Sequence, residues 1–277
     1  MLVSTPIGNL GDLSPRAVET LAHADIVCCE DTRRTRGLLT HAGLTGIRLL
    51  SLHDHNEMAR VEAVLGHLAQ GRTVAVVSDA GMPAVSDPGA RLVAAAVEAG
   101  FAVSTVPGPS AALAALVVSG LPTDRFCFEG FLPRRGAERR RRIEAVAAQA
   151  CTVIIFEAPG RLATTLGDLL GACGPDRRVV VARELTKLHE EVWRGTLAEA
   201  SATFAEREVR GEVVVVVAAD PDAGRAPGDE DVVDALRGRL EAGDTLRDAA
   251  AGVAGQLGTS RRRAYDLALG LRRNAKS

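Results

Sequence analysis

Val74-Ala75-Val76-Val77-Ser78-Asp79-Ala80-Gly81-Met82-Pro83-Ala84-Val85-Ser86-Asp87-Pro88-Gly89 is the stretch that decides the architecture. Its first four residues are apolar and mostly β-branched, the mark of a buried strand. The eleven that begin at Asp79 hold two Gly, two Pro and two Asp. Prolines stiffen such a loop, and glycines let backbone groups approach a ligand closely. Plain connections in strand–helix folds are shorter. The loop therefore reads as a rigid cradle, followed by a helix over 89–99.

Working outward, the same alternation recurs. Strands are predicted at 2–5, 26–29, 47–50 and 102–105, with helices over 14–22, 32–42 and 56–70 and another starting at Pro109-Ser110. Ser14 before Pro15 is a typical helix start. Alternation of this kind implies an α/β domain with a mostly parallel sheet covered on both faces, assigned to residues 1–119. Each strand runs into a polar or Gly/Pro-rich loop: 6–12, 30–34, 53–57, 79–89 and 107–110. In open α/β sheets ligands bind beyond the carboxyl ends of the strands. The chemistry is gathered where a site belongs.

A second α/β domain is assigned to 120–219. Its strands are predicted at 126–130, 152–156, 179–183, 191–195 and 211–218. The short loop between the third and fourth suggests an antiparallel pair and a mixed sheet. Residues 220–228 read as a linker. Residues 229–277 form a C-terminal helical unit, similar to a helix-turn-helix, with helices capped by Thr245 and Ser260. Two short helices cannot hide their apolar faces alone, so docking on the main body or a partner is expected.

Composition narrows the function. The 277 residues are 47% hydrophobic and 25% charged, with a formal net charge of −2. That is a globular protein, and any nucleic-acid contact must come from a local patch. Aromatic residues make up 3%, which disfavours base-stacking single-strand binders. Five cysteines without a C-x-x-C pair point to reduced thiols. With no signal-like leader and no membrane-length apolar segment, a cytoplasmic location and no membrane partner are expected. Gly8 and Gly11 lack dinucleotide-fingerprint spacing, and no phosphate-binding P-loop is present. His53, Asp54, His55 and Glu57 are confined to one loop, so no metal is expected.

The ordered strings carry a resemblance. They are Ser4–Asp12, Glu30–Arg33, His53–Glu57, Val77–Gly81 with Ser86–Gly89, Pro107–Ala111, Asp124–Phe126, Glu129–Pro133, Phe156–Pro159 and Ala182–Lys187. Together they resemble the ribosomal RNA small-subunit methyltransferase I family of the tetrapyrrole methylase superfamily. Two departures are Met82, where a threonine is expected, and Gly160, where a histidine often precedes Arg161.

The resemblance implies S-adenosylmethionine bound between two α/β domains, a homodimer, and 16S ribosomal RNA or the small ribosomal subunit as partner. The implied reaction is methylation of the 2′-oxygen of a decoding-centre cytidine. Carried over by position, the cofactor contacts are Ile7, Ala80, Gly81, Met82, Val85, Ser110, Ala111, Glu157, Leu185 and Glu212. Glu30, Asp31, Asp79, Glu157 and Lys187 are candidates for a base, with no choice among them. Arg33, His55, Arg139, Arg140, Arg261, Arg262 and Arg263 are the candidate RNA contacts.

Two basic segments support an RNA partner. Residues 134–142 carry six Arg against one Glu, and 259–277 carry five Arg and Lys276 against Asp266. A helix start suits an approaching phosphate better than it suits three arginines. The alternatives are a methyltransferase acting on a small tetrapyrrole and a non-catalytic RNA-binding assembly factor.

Overall fold

The computed structural model describes residues 1–53, 56–221, 223 and 228–274, and the backbone alone for 272–274. His55, Lys276 and most of the linker assigned to 220–228 lie outside the described residues. The chain forms two compact units, Met1–Pro221 and Asp222–Ser277.

The first sheet contains β1 (Leu2–Val3), β2 (Ile26–Cys29), β3 (Leu49–Ser51), β4 (Val74–Val76) and β5 (Thr105–Val106), in the order β3-β2-β4-β1-β5. Every pairing is parallel. The connecting helices are α1 (Pro15–Ala22), α2 (Thr32–His41), α3 (Glu57–Ala69) and α4 (Ala90–Glu98). β2 and β4 are buried throughout, as parallel strands between two helical layers must be. β1 lies between β4 and β5, so the loops after β1 and β4 leave the sheet side by side. Thr5 N–H donates to the Gly81 carbonyl at 2.8 Å and Gly81 N–H to the Thr5 carbonyl at 3.1 Å.

The second sheet contains β6 (Phe126–Phe131), β7 (Thr152–Glu157), β8 (Arg178–Arg183), β9 (Glu191–Thr196) and β10 (Val213–Val217), in the order β6-β7-β10-β8-β9. β6 and β7 are parallel; the other pairings are antiparallel, giving the expected mixed sheet. β10 is five consecutive buried valines at the centre. Successive strand residues face opposite sides. Val213, Val215 and Val217 therefore enter a core with α6 (Gly136–Ala147), α7 (Leu162–Cys173) and α8 (Leu197–Phe204). Val214 and Val216 enter another with α5 (Ala111–Ser119). That second core also takes in Ile7 and Leu185. Ile7 thus ties the loop after β1 to the other sheet, and α5 packs on β10 and β7 rather than on the first sheet.

The second unit corrects one expectation. Its described residues form three helices, α9 (Asp229–Glu241), α10 (Leu246–Leu257) and α11 (Arg261–Asn274), not two. Val232 and Leu236 of α9 are fully buried with Ala249, Val253, Ala264 and Ala268. Much of the apolar surface of α10 and α11 is covered inside the unit, while Tyr265 and Leu269 of α11 stay exposed. No helix among the described residues is long and apolar enough to cross a membrane.

Glu57 shows how the site loops are braced. Its side chain is 4% exposed. Oε1 accepts from the backbone N–H groups of Gly89, Arg91 and Leu92 at 3.1, 3.0 and 3.1 Å. A carboxylate from α3 thus caps the start of α4, where the helix dipole favours negative charge. Removing it leaves three inward N–H groups without that acceptor. We expect Glu57→Ala to cost about 2–3 kcal/mol and Glu57→Gln less, since an amide oxygen still accepts. Urea unfolding checks this; an unchanged midpoint in Glu57→Ala would show that the cap adds nothing.

Candidate active site

Two adjoining cavities open where the loops of the two sheets meet. The first is a cleft of 320 Å³ whose walls include Ile7, Ala80, Gly81, Met82, Val85, Ser110, Ala111, Glu157 and Glu212. Phe131, Phe156 and Val213 add apolar surface, and Asp87 a carboxylate. The second, of 380 Å³, is more open and more polar; Arg34, Thr35, Ser78, Asp79 and Lys187 line it. Ile7, Ala80 and Glu212 belong to both.

The cleft is shaped by backbone. Gly81 has φ +82°, and a Cβ there would sit 3.2 Å from Ile7 Cγ2 and 3.4 Å from the Pro109 carbonyl oxygen. A Cβ on Gly108 would meet Ser4 Cβ at 2.8 Å. Four non-glycine residues among those described have positive φ: Ala84, Ser86, Glu184 and Thr186. All four lie in loops at the two cavities, where surrounding structure must hold such conformations.

One charged ladder borders both cavities. Lys187 Nζ donates to Glu184 Oε1 at 2.7 Å and to Glu212 Oε2 at 2.9 Å. Glu212 N–H donates to Glu184 Oε1 at 3.0 Å. The Lys187 hydrogen bond holds the Glu184 carboxyl below the usual range. Burial alone would lower the Lys187 pKa, but the hydrogen bonds to Glu184 and Glu212 outweigh it and the net shift is upward. Lys187 is therefore an ammonium at neutral pH, which removes it from the candidate bases.

Glu157 is corrected as a base as well. It is 2% exposed, and its carboxylate is already occupied. Oε1 accepts from Ala158 N–H at 2.8 Å and Arg161 Nε at 2.6 Å, and Oε2 from the Thr165 hydroxyl at 2.5 Å. Asp31 caps α2 through Arg33 N–H at 2.7 Å, and that bond holds its carboxyl below the usual range. Glu30 is half-buried and lines neither cavity. Asp79 does line the open one; Oδ1 accepts from Asp31 N–H at 3.1 Å, and Oδ2 lies 3.5 Å from Arg34 Nη1.

The candidate RNA contacts separate. Arg33 and Arg140 are exposed. Arg139 is not a surface contact: it is 7% exposed, and its guanidinium donates to Asp168 Oδ2 at 2.8 Å, Pro133 O at 3.0 Å and Thr165 Oγ1 at 2.9 Å. Its spacing to Ile143 and Val146 puts it on the core face of α6, a pattern readable in the sequence. In the second unit Arg261 and Arg262 are exposed on the first turn of α11. Arg263 donates to Asp229 at 2.7 and 3.0 Å.

Of the ten residues expected at a cofactor, all but Leu185 line the cleft. Leu185 lies in the apolar cluster beside Ile7. Met82 is part of the wall. A Cβ on Gly160 would meet nothing within 4 Å, so the second departure opens space without disturbing the fold. Arg34, Asp87, Phe131 and Phe156 were not among the expected site residues, although Asp87, Phe131 and Phe156 stand in strings already noted.

Residues 1–201 match the family model of the Tetrapyrrole (Corrin/Porphyrin) Methylases. The fold is also that of solved methylases. The methyltransferase CobJ superposes with a TM-score of 0.62 at 23% identity, over 79% of this chain and 92% of its own. Uroporphyrin-III C-methyltransferase from Thermus thermophilus, complexed with S-adenyl homocysteine, gives 0.55 at 20% identity, over 78% and 96%. The cleft and its strained loops thus belong to a methylase of the tetrapyrrole methylase class.

Within it, the chain is 46% identical to ribosomal RNA small subunit methyltransferase I of Synechocystis sp., over 98% of this chain and 97% of the relative. The enzymes of that name from Mycobacterium tuberculosis and Escherichia coli O157:H7 are 46% and 43% identical, over 99% and 97% of this chain and 95% and 93% of theirs. The chain belongs to the ribosomal RNA small subunit methyltransferase I family, and it is an S-adenosylmethionine-dependent methyltransferase.

The cleft fits that cofactor. Small residues leave room for backbone approach, Phe131 and Phe156 offer apolar surface, and carboxylates oppose a sulfonium charge. We expect Gly81→Val to lower S-adenosylmethionine affinity by at least about tenfold, since a β-branched side chain at positive φ would fill the cradle. Calorimetric titration of a variant with unchanged circular dichroism checks this.

The ladder has a defined pH window. The Glu184 contribution is present above its unfolded pKa, about 4.3, and is lost as pH falls through its depressed folded value. The Lys187 contribution is present below about 10.4 and is lost as pH rises through its raised folded value. The destabilisation caused by Glu184→Gln should be equal at pH 6 and pH 9 and should shrink below pH 4. Urea titrations at the three pH values measure it.

Proposed function

We propose that this enzyme methylates 16S ribosomal RNA of the small subunit, on the 2′-oxygen of a decoding-centre cytidine. The observation that carries the reading is the pair of cavities with a shared wall. The largely apolar cleft suits the cofactor. The open polar cavity beside it, with Arg34 and Lys187 on its rim, suits a nucleotide of a large anionic substrate. The relatives' names support ribosomal RNA as that substrate.

When bound, the cofactor supplies an activated methyl group, so this chain's residues mainly align an oxygen with it. Asp79 is the carboxylate best suited to take the hydroxyl proton, because it lines the open cavity and is not buried in a closed network. Arg34 suits a phosphate flanking the target. Arg140, Arg261 and Arg262 suit contacts with the RNA backbone, positioning without reading sequence.

Nucleoside mass spectrometry of 16S ribosomal RNA, from cells with and without the protein, tests the assignment. One 2′-O-methylcytidine should vanish in its absence, and an unchanged profile would overturn the proposal. Arg34→Ala should leave S-adenosylmethionine affinity unchanged and lower kcat/KM for the subunit roughly tenfold or more, the size of a lost charge-assisted hydrogen bond. A parallel loss of cofactor affinity would assign Arg34 to the cofactor instead.

A further inference from the structure

Lys187 is more elaborately held than a surface ion pair requires. Its neighbours Glu184 and Thr186 both have positive φ, at 52° and 68°. Two contacts from other segments and one within the loop fix this strained turn. Asn9 N–H donates to Thr186 Oγ1 at 3.1 Å, Thr186 N–H donates to Glu190 Oε2 at 2.6 Å, and Glu184 N–H donates to the Glu212 carbonyl at 3.0 Å. Gly8 gives the lysine stem its place, since a Cβ there would lie 2.4 Å from Lys187 Cγ. Gly211 does the same for Glu184, whose carboxyl carbon would lie 2.3 Å from a Cβ at 211. Strain held from several directions marks a functional position more often than a structural one.

An ammonium has three N–H donors. Two are used by Glu184 and Glu212, which fix Nζ in the wall of the open cavity that Asp79 also lines. The ladder as a whole carries one more negative than positive charge. It can therefore sit near a sulfonium without repelling it, while still presenting a donor.

We propose that Lys187 is a catalytic residue whose third N–H donates to the acceptor 2′-oxygen and stabilises the negative charge that develops there. This deepens the reading under Proposed function and rests on it. The 2′-oxygen forms its new bond to the methyl carbon as the sulfonium sulfur keeps the electron pair of the broken S–C bond. The hydroxyl proton passes to the Asp79 carboxylate and on to water. Lys187 neither gives nor takes a proton; it is a pre-positioned donor aimed at developing charge, which lowers a barrier without reorganisation at the moment of reaction. Glu184 and Glu212 are positioning residues for it.

The test pairs one side chain with one substrate atom. Full-length enzyme, with S-adenosylhomocysteine present, is titrated with two RNA fragments that differ only at the target cytidine, one ribo and one 2′-deoxy. Wild type should bind the ribo fragment about ten- to a hundredfold more tightly, the range for a hydrogen bond to a charged group. Lys187→Met should bind both fragments with equal affinity, at the deoxy level, and Lys187→Arg should keep part of the preference. Methylation kcat should fall by about a hundredfold in Lys187→Met. A purely structural role would weaken both fragments alike and leave their ratio unchanged. If Lys187→Met loses its far-UV signal, the double variant Glu184→Gln with Lys187→Met, which removes the carboxylate left unpaired, is read in the same assay. A folded neutral variant that keeps the ribo preference, or a wild type without one, overturns the proposal. A wild type that methylates no small-subunit RNA overturns the functional reading, and the proposal with it.

Discussion

Thr5 and Gly81 exchange two backbone hydrogen bonds across the gap between the loops after β1 and β4. Both cavities depend on that pair. It brings Ile7 to the shared wall on one side and Ala80 on the other, and it needs the positive φ of Gly81 to do so. The sheet order makes it possible, because β1 is placed between β4 and β5 only by a chain that leaves and returns. The Thr5 hydroxyl adds a bond to the Ser78 carbonyl at 3.2 Å. The backbone N–H and C=O groups of Thr5 and Gly81 are thereby paired with each other.

Buried charge around the cavities is handled in two different ways. Glu157 sits in a closed set with Arg161 and Thr165, and Thr165 in turn accepts from Arg139. Every partner is internal, and the effect is to fix the end of β7 beside the cleft. Removing one member would leave another unpaired, which is how such networks become costly. The Glu184–Lys187–Glu212 ladder is open to the cavity and keeps one charge presented outward. Glu157, Glu184 and Glu212 look alike in the sequence; their surroundings set the first apart from the other two.

Much of the fold could be read from the chain because two periodicities were clean. Apolar runs, many of them β-branched, marked nine of the ten strands within a few residues; β5 falls later than expected, at Thr105–Val106, since its pairing with β1 and not its composition fixes it. The cleft was legible because backbone-shaped loops need Gly and Pro at fixed places. Roles of charged side chains were not. Glu57 stood in a string that suggested RNA or metal contact, yet it caps α4, a partner more than thirty residues away. Arg139 was masked by its basic neighbours. The α9 helix was overlooked because Val232 and Leu236 are set among acidic and basic residues, and only packing against α10 and α11 shows that they form a core.

The central position of β10 has a kinetic consequence. Its valines lie between β7 and β8, strands made long before it on the ribosome. Until residue 217 has emerged, the facing edges of β7 and β8 have unpaired N–H and C=O groups, and both cores of the second sheet lack their middle. The β6–β7 and β8–β9 pairs can form as the chain lengthens, but the sheet closes only when its last strand is inserted. Pairing over such sequence distances is slow and exposes apolar surface meanwhile. A nascent chain truncated before Val213 is therefore a half-built sheet with two sticky edges, a substrate for chaperones rather than a shorter enzyme.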